Sequence, residues 1–182
     1  QKEQGCWQGE VRYHKFKEEG FKTLTGQIEV LSENFQMQGY EPLPIFTEAQ
    51  RVLPDKEYPF QVTNNKMRFH CNLHTQENPY LMQIESENWV ELNPEDANRY
   101  GISEGDRIEV ESPLDKVIIS ARISENVRPG VLRVIHGHGF GRRAGTLGRG
   151  KGAHFNPLIG TNVNPVSGGI GYNECKVKIR KI

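Results

Sequence analysis

The sequence is short of cysteine, of long apolar runs and of net charge, and each shortage argues against a class of function. Its three cysteines, Cys6, Cys71 and Cys175, lie far apart and form no C-x-x-C pair. This spacing argues against a zinc ribbon, a thioredoxin motif or an iron–sulfur cluster built from this chain alone. No apolar run reaches the roughly 18 residues that span a bilayer, so we expect no direct membrane insertion. Lysine plus arginine and aspartate plus glutamate each number 23, a balance that gives no net field to recruit nucleic acid.

The first ten residues lack a basic region followed by an apolar stretch, so we expect no signal peptide there. They also lack an initiator methionine, and we interpret Gln1 as a truncation or processing point. With 182 residues the sequence is long enough for one domain with a substantial core and an extension.

Residues 1–52 differ in pattern from the rest of the sequence. Residues 20–30 predict a turn that leads into a short strand, and two prolines in residues 39–46 break any helix or central strand. The apolar residues Leu43, Ile45 and Phe46 are too few for a core of their own. We therefore predict an irregular arm or linker from a preceding domain over residues 1–52, and a separate domain over residues 53–182.

Residues 53–182 carry the patterns of short strands and two short helices. Asn93 is a typical helix cap, followed by proline, acidic residues and a closing glycine, and Asn78 predicts a similar helix start. The predicted helices cover residues 78–84 and 93–101, and the predicted strands cover residues 58–63, 89–92, 105–112, 117–123, 131–135 and 175–180. This pattern favours a mainly β fold with short helices, arranged as a compact β-barrel rather than a doubly wound sheet.

Two polar segments are candidates for a binding site. Residues 63–76 concentrate hydrogen-bonding side chains directly after a predicted strand, where ligands often bind, and a solvated loop with two surface histidines is the rival interpretation. Residues 136–172 are rich in glycine and poor in strand formers, and long irregular segments are usually functional or disordered. We interpret this segment as ordered by a ligand or a partner, because glycine allows close backbone approach and asparagine suits a heterocycle with many donors and acceptors.

The second segment also permits other interpretations. His136, His138 and His154 are potential metal ligands, although no acidic or cysteine ligand joins them at a familiar spacing. Its basic residues suit phosphate or an acidic partner surface, with ordinary solvation as the rival. These residues are Arg142, Arg143, Arg149 and Lys151. The sequence has neither a nucleophile elbow nor a Walker loop, so we expect it to bind rather than to catalyse.

Several short motifs occur in an order that resembles one protein family. Residues 89–113 are similar to the "helix, G-I-x-x-G-D, V-x-V" signature of the molybdopterin-dinucleotide-binding domain. That domain closes the catalytic subunits of the dimethyl-sulfoxide-reductase (molybdopterin oxidoreductase) family. Residues 128–131 resemble its R-P-G-V turn, and residues 164–168 its D-P-x-S-G motif, with Asn164 in place of aspartate. Upstream, residues 24–29 and 39–44 resemble S-G-K-I-E and G-Y-D-P-L-P. Each motif is weak alone, and their common order over nearly the whole chain carries the resemblance.

The resemblance implies an aspartate-decarboxylase-like double-psi β-barrel for about residues 53–182. It also implies a bis(molybdopterin guanine dinucleotide) cofactor with molybdenum or tungsten, shared with domains outside this chain. It implies no catalytic residue and no metal ligand from this chain. The cofactor-binding residues that it implies are Thr63, Asn64, Asn65, His70, His74, Thr75, Gln76, Asn156 and Tyr172. Family members usually have glycine where this sequence has Asn64.

The resemblance further implies the C-terminal domain of an anaerobic respiratory molybdenum or tungsten oxidoreductase, with no activity of its own. Its partners would be the remaining domains or subunits, including an iron–sulfur-bearing part, in the periplasm or cytoplasm of a prokaryote and in a membrane-associated complex. Residues 136–141 are most similar to members that reduce sulfur oxyanions, polysulfide or arsenate. The alternatives are a stand-alone β-barrel interaction module without a cofactor and a small histidine-based metalloprotein.

Overall fold

The computed structural model describes residue 5 and residues 9–43, 45–46, 53–139, 147–161, 163–164 and 167–182. Contacts divide the chain into two compact units, Gln1–Glu48 and Ala49–Ile182. The boundary between residues 52 and 53, with an arm on one side of it, stays a prediction. No helix in the described ranges is long and apolar enough to cross a membrane.

The first unit contains two helices of little more than one turn, α1 (Lys15–Glu19) and α2 (Glu33–Met37). The Ser32 hydroxyl caps α2 by accepting the Phe35 N–H at 3.3 Å. The predicted strand within residues 20–30 is wrong, because the chain turns back on itself there: the Phe21 N–H donates to the Gly26 carbonyl at 2.9 Å. None of the described residues of this unit is buried, so its described part forms no core of its own.

The second unit contains six strands, two helices and one 3₁₀ turn. The strands are β1 (Phe60–Asn65), β2 (Trp89–Leu92), β3 (Arg107–Glu111), β4 (Lys116–Ile123), β5 (Val131–Ile135) and β6 (Cys175–Lys181). The helices are α3 (Pro79–Ile84) and α4 (Pro94–Tyr100), and the 3₁₀ turn is Asn156–Leu158. All the elements predicted in this unit are present. β1 begins two residues later than predicted, directly after Pro59, which has no N–H to give to a ladder.

The six strands close into a barrel in the order β1-β5-β2-β4-β3-β6. The pairs β1–β5 and β2–β4 are parallel and the other four pairs are antiparallel. Closure leaves no strand edge unpaired. Alternate residues of each strand fill the interior, and Val62, Val90 and Leu132 are fully buried there. The prediction of a β-barrel is therefore confirmed.

The strand directions give the barrel two different ends. β1 and β5 end together, with Asn65 paired to Ile135. β2 and β6 run antiparallel to them and therefore begin at the same end. Two long connections, residues 66–88 and 136–174, leave from this end, which we call the loop pole. The opposite end carries α4 and the short connection of residues 124–130, and we call it the helix pole.

Candidate functional site

A cavity of about 450 Å³ lies at the loop pole, where several passages of the chain meet. The end of β1 contributes Asn64 and Lys66, and the following loop contributes Asn72 and Leu73. The end of β5 contributes His136 and the adjacent glycine. Residues 154–156 and residues 172–173, just before β6, form the other walls. The volume is that of a small-molecule or cofactor site.

Three polar residues of the cavity continue the inward-facing positions of three strands. Side chains alternate along a strand, so Asn64 follows the buried Val62 on the interior side of β1. By the same rule His136 follows Val134 beyond the end of β5, and Asn173 precedes Cys175 at the start of β6. The Asn64 N–H donates to the Asn173 Oδ1 at 2.7 Å, which confirms that these positions meet. The barrel core therefore ends in a polar layer that faces the cavity.

His136 is held between two asparagine side chains. Its Nδ1 is hydrogen-bonded to the Asn64 amide, and its Nε2 lies 2.7 Å from the Asn72 Oδ1. Burial lowers the pKa of His136, and the nearby Lys66 charge lowers it further, so the neutral ring is favoured. Both contacts are to amide oxygens, and a neutral ring donates from only one nitrogen, so a 180° turn of one carboxamide is needed to present its NH₂ group to the other nitrogen.

The side chains around the cavity fit the group that the sequence resemblance implies. Four asparagines contribute, at positions 64, 72, 156 and 173, and each carboxamide offers both a donor and an acceptor. This donor set suits the ring edge of a pterin, and Leu73 and Phe155 provide apolar wall. Lys66 adds a positive charge, and the described lining contains no carboxylate that would repel the phosphates of a dinucleotide.

The structure brings three of the nine predicted cofactor residues to the cavity: Asn64, Asn156 and Tyr172. Two others, His70 and Thr75, stabilise the loop behind it. The Nδ1 of buried His70 lies 3.0 Å from the Thr75 Oγ1, and its Nε2 lies 2.7 Å from the Glu85 carbonyl oxygen. The Thr75 hydroxyl also accepts the Cys71 N–H at 2.9 Å.

The remaining four predicted residues are not among those that line the cavity. Buried Gln76 donates from Nε2 to the Asn72 carbonyl at 3.4 Å and so supports a lining residue. The Asn65 carbonyl accepts the N–H of His136 at 3.0 Å. Thr63 lies within β1, and His74 is exposed on the loop. Direct cofactor contacts from these residues stay a prediction.

Sequence reasoning did not assign several lining residues to the cofactor. These are Lys66, Asn72, Leu73, His136, Gly137, His154, Phe155 and Asn173. Lys66, Asn72 and Leu73 lie inside the polar segment of residues 63–76, so the segment was found but not its cavity-facing members. The sequence signal for His136 and Asn173 is their spacing. Each lies two residues from an inward-facing strand residue, Val134 or Cys175, and so continues the interior face of its strand.

The histidine-based metal site has no support in the described part of the chain. There, no three histidine, cysteine or acidic side chains are grouped to hold a metal ion. His136 and His138 face different surroundings: His138 is fully buried and packs edge-on against His70, with ring centroids 5.4 Å apart. Burial lowers the pKa of His138 to about 4.

The glycine-rich connection is anchored to the loop that follows β1. The Glu77 carboxylate accepts the N–H groups of Leu147 and Gly148 at 3.2 and 3.3 Å. Of the basic residues singled out in the sequence, Arg149 and Lys151 are exposed, and Arg142 and Arg143 lie outside the described residues. These hydrogen bonds therefore hold residues 147–148 of the connection between β5 and β6 against the connection between β1 and β2.

The chain is similar to known proteins in family, sequence and fold. Residues 60–176 match the family described as Molydopterin (molybdopterin) dinucleotide binding domain. The molybdopterin-containing subunit ArrA of arsenate respiratory reductase from Shewanella sp. (strain ANA-3) is 26% identical over 166 residues, covering 82% of this chain and 19% of that protein. The F420-dependent formate dehydrogenase 2 subunit alpha of Methanococcus maripaludis is 33% identical over 146 residues, covering 76% and 19%.

Acetylene hydratase from Pelobacter acetylenicus has a similar structure, with a TM-score of 0.78 at 21% sequence identity. The match covers 93% of this chain and 25% of that chain. This likeness concerns the fold, and together with the closed six-stranded barrel it confirms the predicted class of a mainly β barrel with short helices. The chain spans about a fifth of the length of the curated relatives described above.

Proposed function

Because this chain belongs to the molybdopterin dinucleotide binding domain family, we propose that the cavity at the loop pole holds a pterin of its molybdopterin guanine dinucleotide cofactor. The observation that carries the proposal is the ring of carboxamides that ends the barrel core. When bound, the cofactor supplies the redox chemistry through its metal, molybdenum or tungsten. The chain itself binds and orients the cofactor and keeps bulk water from one side of it.

Individual side chains have distinct roles in this proposal. Asn64 and Asn72 present their amides to the edge of the pterin and fix the His136 ring, whose neutral form both donates and accepts. Asn156 supplies a further amide from the opposite wall. Lys66 pairs with the negative charge of the dinucleotide phosphates, and Tyr172, about half exposed, covers the mouth of the cavity.

The test replaces cavity amides by an apolar side chain with the same branching in the complete oxidoreductase. Asn64→Leu and Asn72→Leu each remove a donor and an acceptor. We expect pterin retention to fall about tenfold, since each change leaves buried polar groups of the bound cofactor unpaired. The matched control is Asn98→Leu, at an exposed position of α4 on the helix pole. The readouts are pterin released on denaturation and metal per polypeptide, with thermal unfolding as a check of folding.

Equal pterin content in all three folded variants and the parent protein would contradict the assignment of the cavity. It would favour a stand-alone barrel that acts as an interaction module. Loss of pterin in Asn98→Leu to the same extent would also contradict it, because the effect would then not belong to the loop pole.

For the complete protein we propose an anaerobic respiratory reductase of an arsenic or sulfur oxyanion, in which this chain is the cofactor-binding C-terminal domain and is inactive alone. The support is the similarity to the arsenate respiratory reductase subunits, which extends over 82% and 95% of this chain. The iron–sulfur-bearing part would belong to the other domains. A dye-linked assay of the complete protein with arsenate, tetrathionate and dimethyl sulfoxide tests the substrate class, and turnover of dimethyl sulfoxide alone would overturn it.

A further inference from the structure

One fully buried asparagine, Asn88, joins the two walls of the cavity from behind. It lies one residue before β2 at the loop pole and is 0% exposed. Its Nδ2 donates to the carbonyl oxygens of Ile135 and Ala153 at 2.5 and 2.8 Å, and its Oδ1 accepts the Ala153 N–H at 2.8 Å. The carboxamide therefore uses both donor hydrogens and one acceptor position on the main chain of two distant segments. We call this set of contacts the Asn88 amide bridge.

Each of the two residues that Asn88 contacts is followed in the sequence by a residue that lines the cavity. Ile135 directly precedes His136, and Ala153 directly precedes His154, and both histidines line the cavity. Asn88 is not among the lining residues. Any displacement of its amide moves the β5 end and the wall of residues 154–156 relative to one another.

The main chain is tightly packed around the bridge at two glycines. A Cβ atom on Gly152 would lie 2.1 Å from the Asn88 Oδ1 and 2.9 Å from the His138 Cβ, and one on Gly139 would lie 2.0 Å from the His154 N. The two segments also bond directly, the Gly139 N–H donating to the Lys151 carbonyl at 3.1 Å. Main chain thus packs on main chain, and Asn88 is the side chain that fixes the separation.

We propose that Asn88 is a positioning residue for the cofactor: its amide bridge sets the separation between His136 and the wall of residues 154–156. The inference rests on the proposed function of the cavity. Asn93, at the other end of β2, is a natural comparison. Its Nδ2 donates to the Val127 carbonyl at 2.7 Å and its Oδ1 accepts the Glu95 N–H at 2.9 Å. It also bridges two segments, but at the helix pole.

The experiment compares Asn88→Asp with Asn93→Ala in the complete holoenzyme. The aspartate keeps the shape of asparagine and replaces the donor group by an acceptor facing two carbonyl oxygens. We expect the rate of pterin release, measured by fluorescence after oxidation, to rise about tenfold or more at pH 8. Asn93→Ala should lower the melting temperature and leave the release rate unchanged.

Lowering the pH supplies a rescue of pterin release in Asn88→Asp, whereas a purely structural role would show the rescue in the melting temperature and not in the release rate of the folded protein. Burial among carbonyl oxygens raises the pKa of a carboxyl group, and the protonated acid regains one donor. The ratio of the release rate of Asn88→Asp to that of the parent protein should therefore fall towards one between pH 8 and pH 5. If Asn88→Asp does not fold, Asn88→Ser keeps one donor without a charge and should release pterin at an intermediate rate.

Two results separate the failure of this inference from the failure of the proposed function. If Asn64→Leu loses pterin while the Asn88 variants release it no faster than Asn93→Ala, the positioning role is overturned and the cavity assignment stands. If Asn64→Leu and the Asn88 variants all retain pterin as the parent protein does, both fail. A release rate of Asn88→Asp that does not respond to pH relative to the parent also overturns the positioning role.

Discussion

The two poles of the barrel are closed in different ways. The helix pole is closed by regular structure: the Asn93 cap, α4, and Gly101 in the left-handed conformation. The loop pole is closed by irregular chain around buried polar side chains, and these are His70, Gln76, Asn88 and His138. The helix pole combines a locally capped helix with hydrogen bonds from Asn93 to Val127 and from Gly130 to Asp96, whereas the walls of the loop pole are joined by hydrogen bonds that span up to 72 residues. The cavity lies at the pole whose main-chain segments are joined by such long-range bonds.

Substitution of two glycines in one loop should give the largest contrast. Gly152 and Gly150 have φ angles of +67° and +70°, so alanine adds about 1 kcal/mol of backbone strain at either position. At Gly152 the new Cβ also meets Asn88 and His138, whereas at Gly150 it meets nothing within 4 Å. We expect Gly152→Ala to lower the free energy of unfolding by about 1–3 kcal/mol more than Gly150→Ala. Denaturant unfolding measures this difference. Equal losses of unfolding free energy in the two variants would show that Asn88 and His138 move to accommodate the new Cβ.

Acid should weaken the loop pole before the helix pole. Burial, and to a smaller extent the nearby His70, lowers the pKa of His138 to about 4 against the opposing effect of Glu87, while the pKa of an unfolded histidine is near 6.5. Between these values the unfolded chain binds more protons than the folded chain. The stability contributed by neutral His138 is therefore lost as the pH falls from about 6.5 to about 4, by up to about 3 kcal/mol.

The control for the acid effect removes the buried titration. His138→Phe should flatten the pH dependence of the free energy of unfolding in this window, while His74→Gln, at an exposed position, should leave it unchanged. An unchanged slope in His138→Phe would assign the acid sensitivity to another group.

The smallest effect is expected from a polar contact of the helix pole. The Asp96 carboxylate accepts the Gly130 N–H at 2.8 Å and is almost fully buried. Asp96→Asn keeps an acceptor but loses the charge, so we expect a loss of about 1 kcal/mol in the free energy of unfolding and no change in pterin retention. Faster pterin release in this variant would show that the two poles are coupled through the barrel.

The sequence predicted the structure of the helix pole better than the residues of the loop-pole cavity, for physical reasons. The cap, proline and glycine of α4 act within a few residues, and the bounds of β2 and β5 follow from alternation and turn residues. The parallel pairing that joins Asn64 to His136 spans 72 residues and leaves no local signature. Asn88 also sits in no recognisable motif, because its partners are main-chain groups.

The error in the first unit has a different cause. Ile28 and Val30 have the side chains of a strand, yet they are about three-quarters exposed and pair with no strand. A β-branched residue favours a strand through its packing against neighbours, and this unit offers none. Strand propensity alone therefore did not decide the structure of residues 20–30.

The register of β1 against β5 places the core residues and the cavity residues together, so neither set can form without the other. Val62 and Asn64 share one face of β1, as Val134 and His136 share one face of β5. A slip of one residue would turn the apolar side chains out of the barrel at the same moment as it scattered the amides. A register error that disrupts the cavity would therefore also destabilise the barrel, and the folded protein carries Asn64 and His136 side by side.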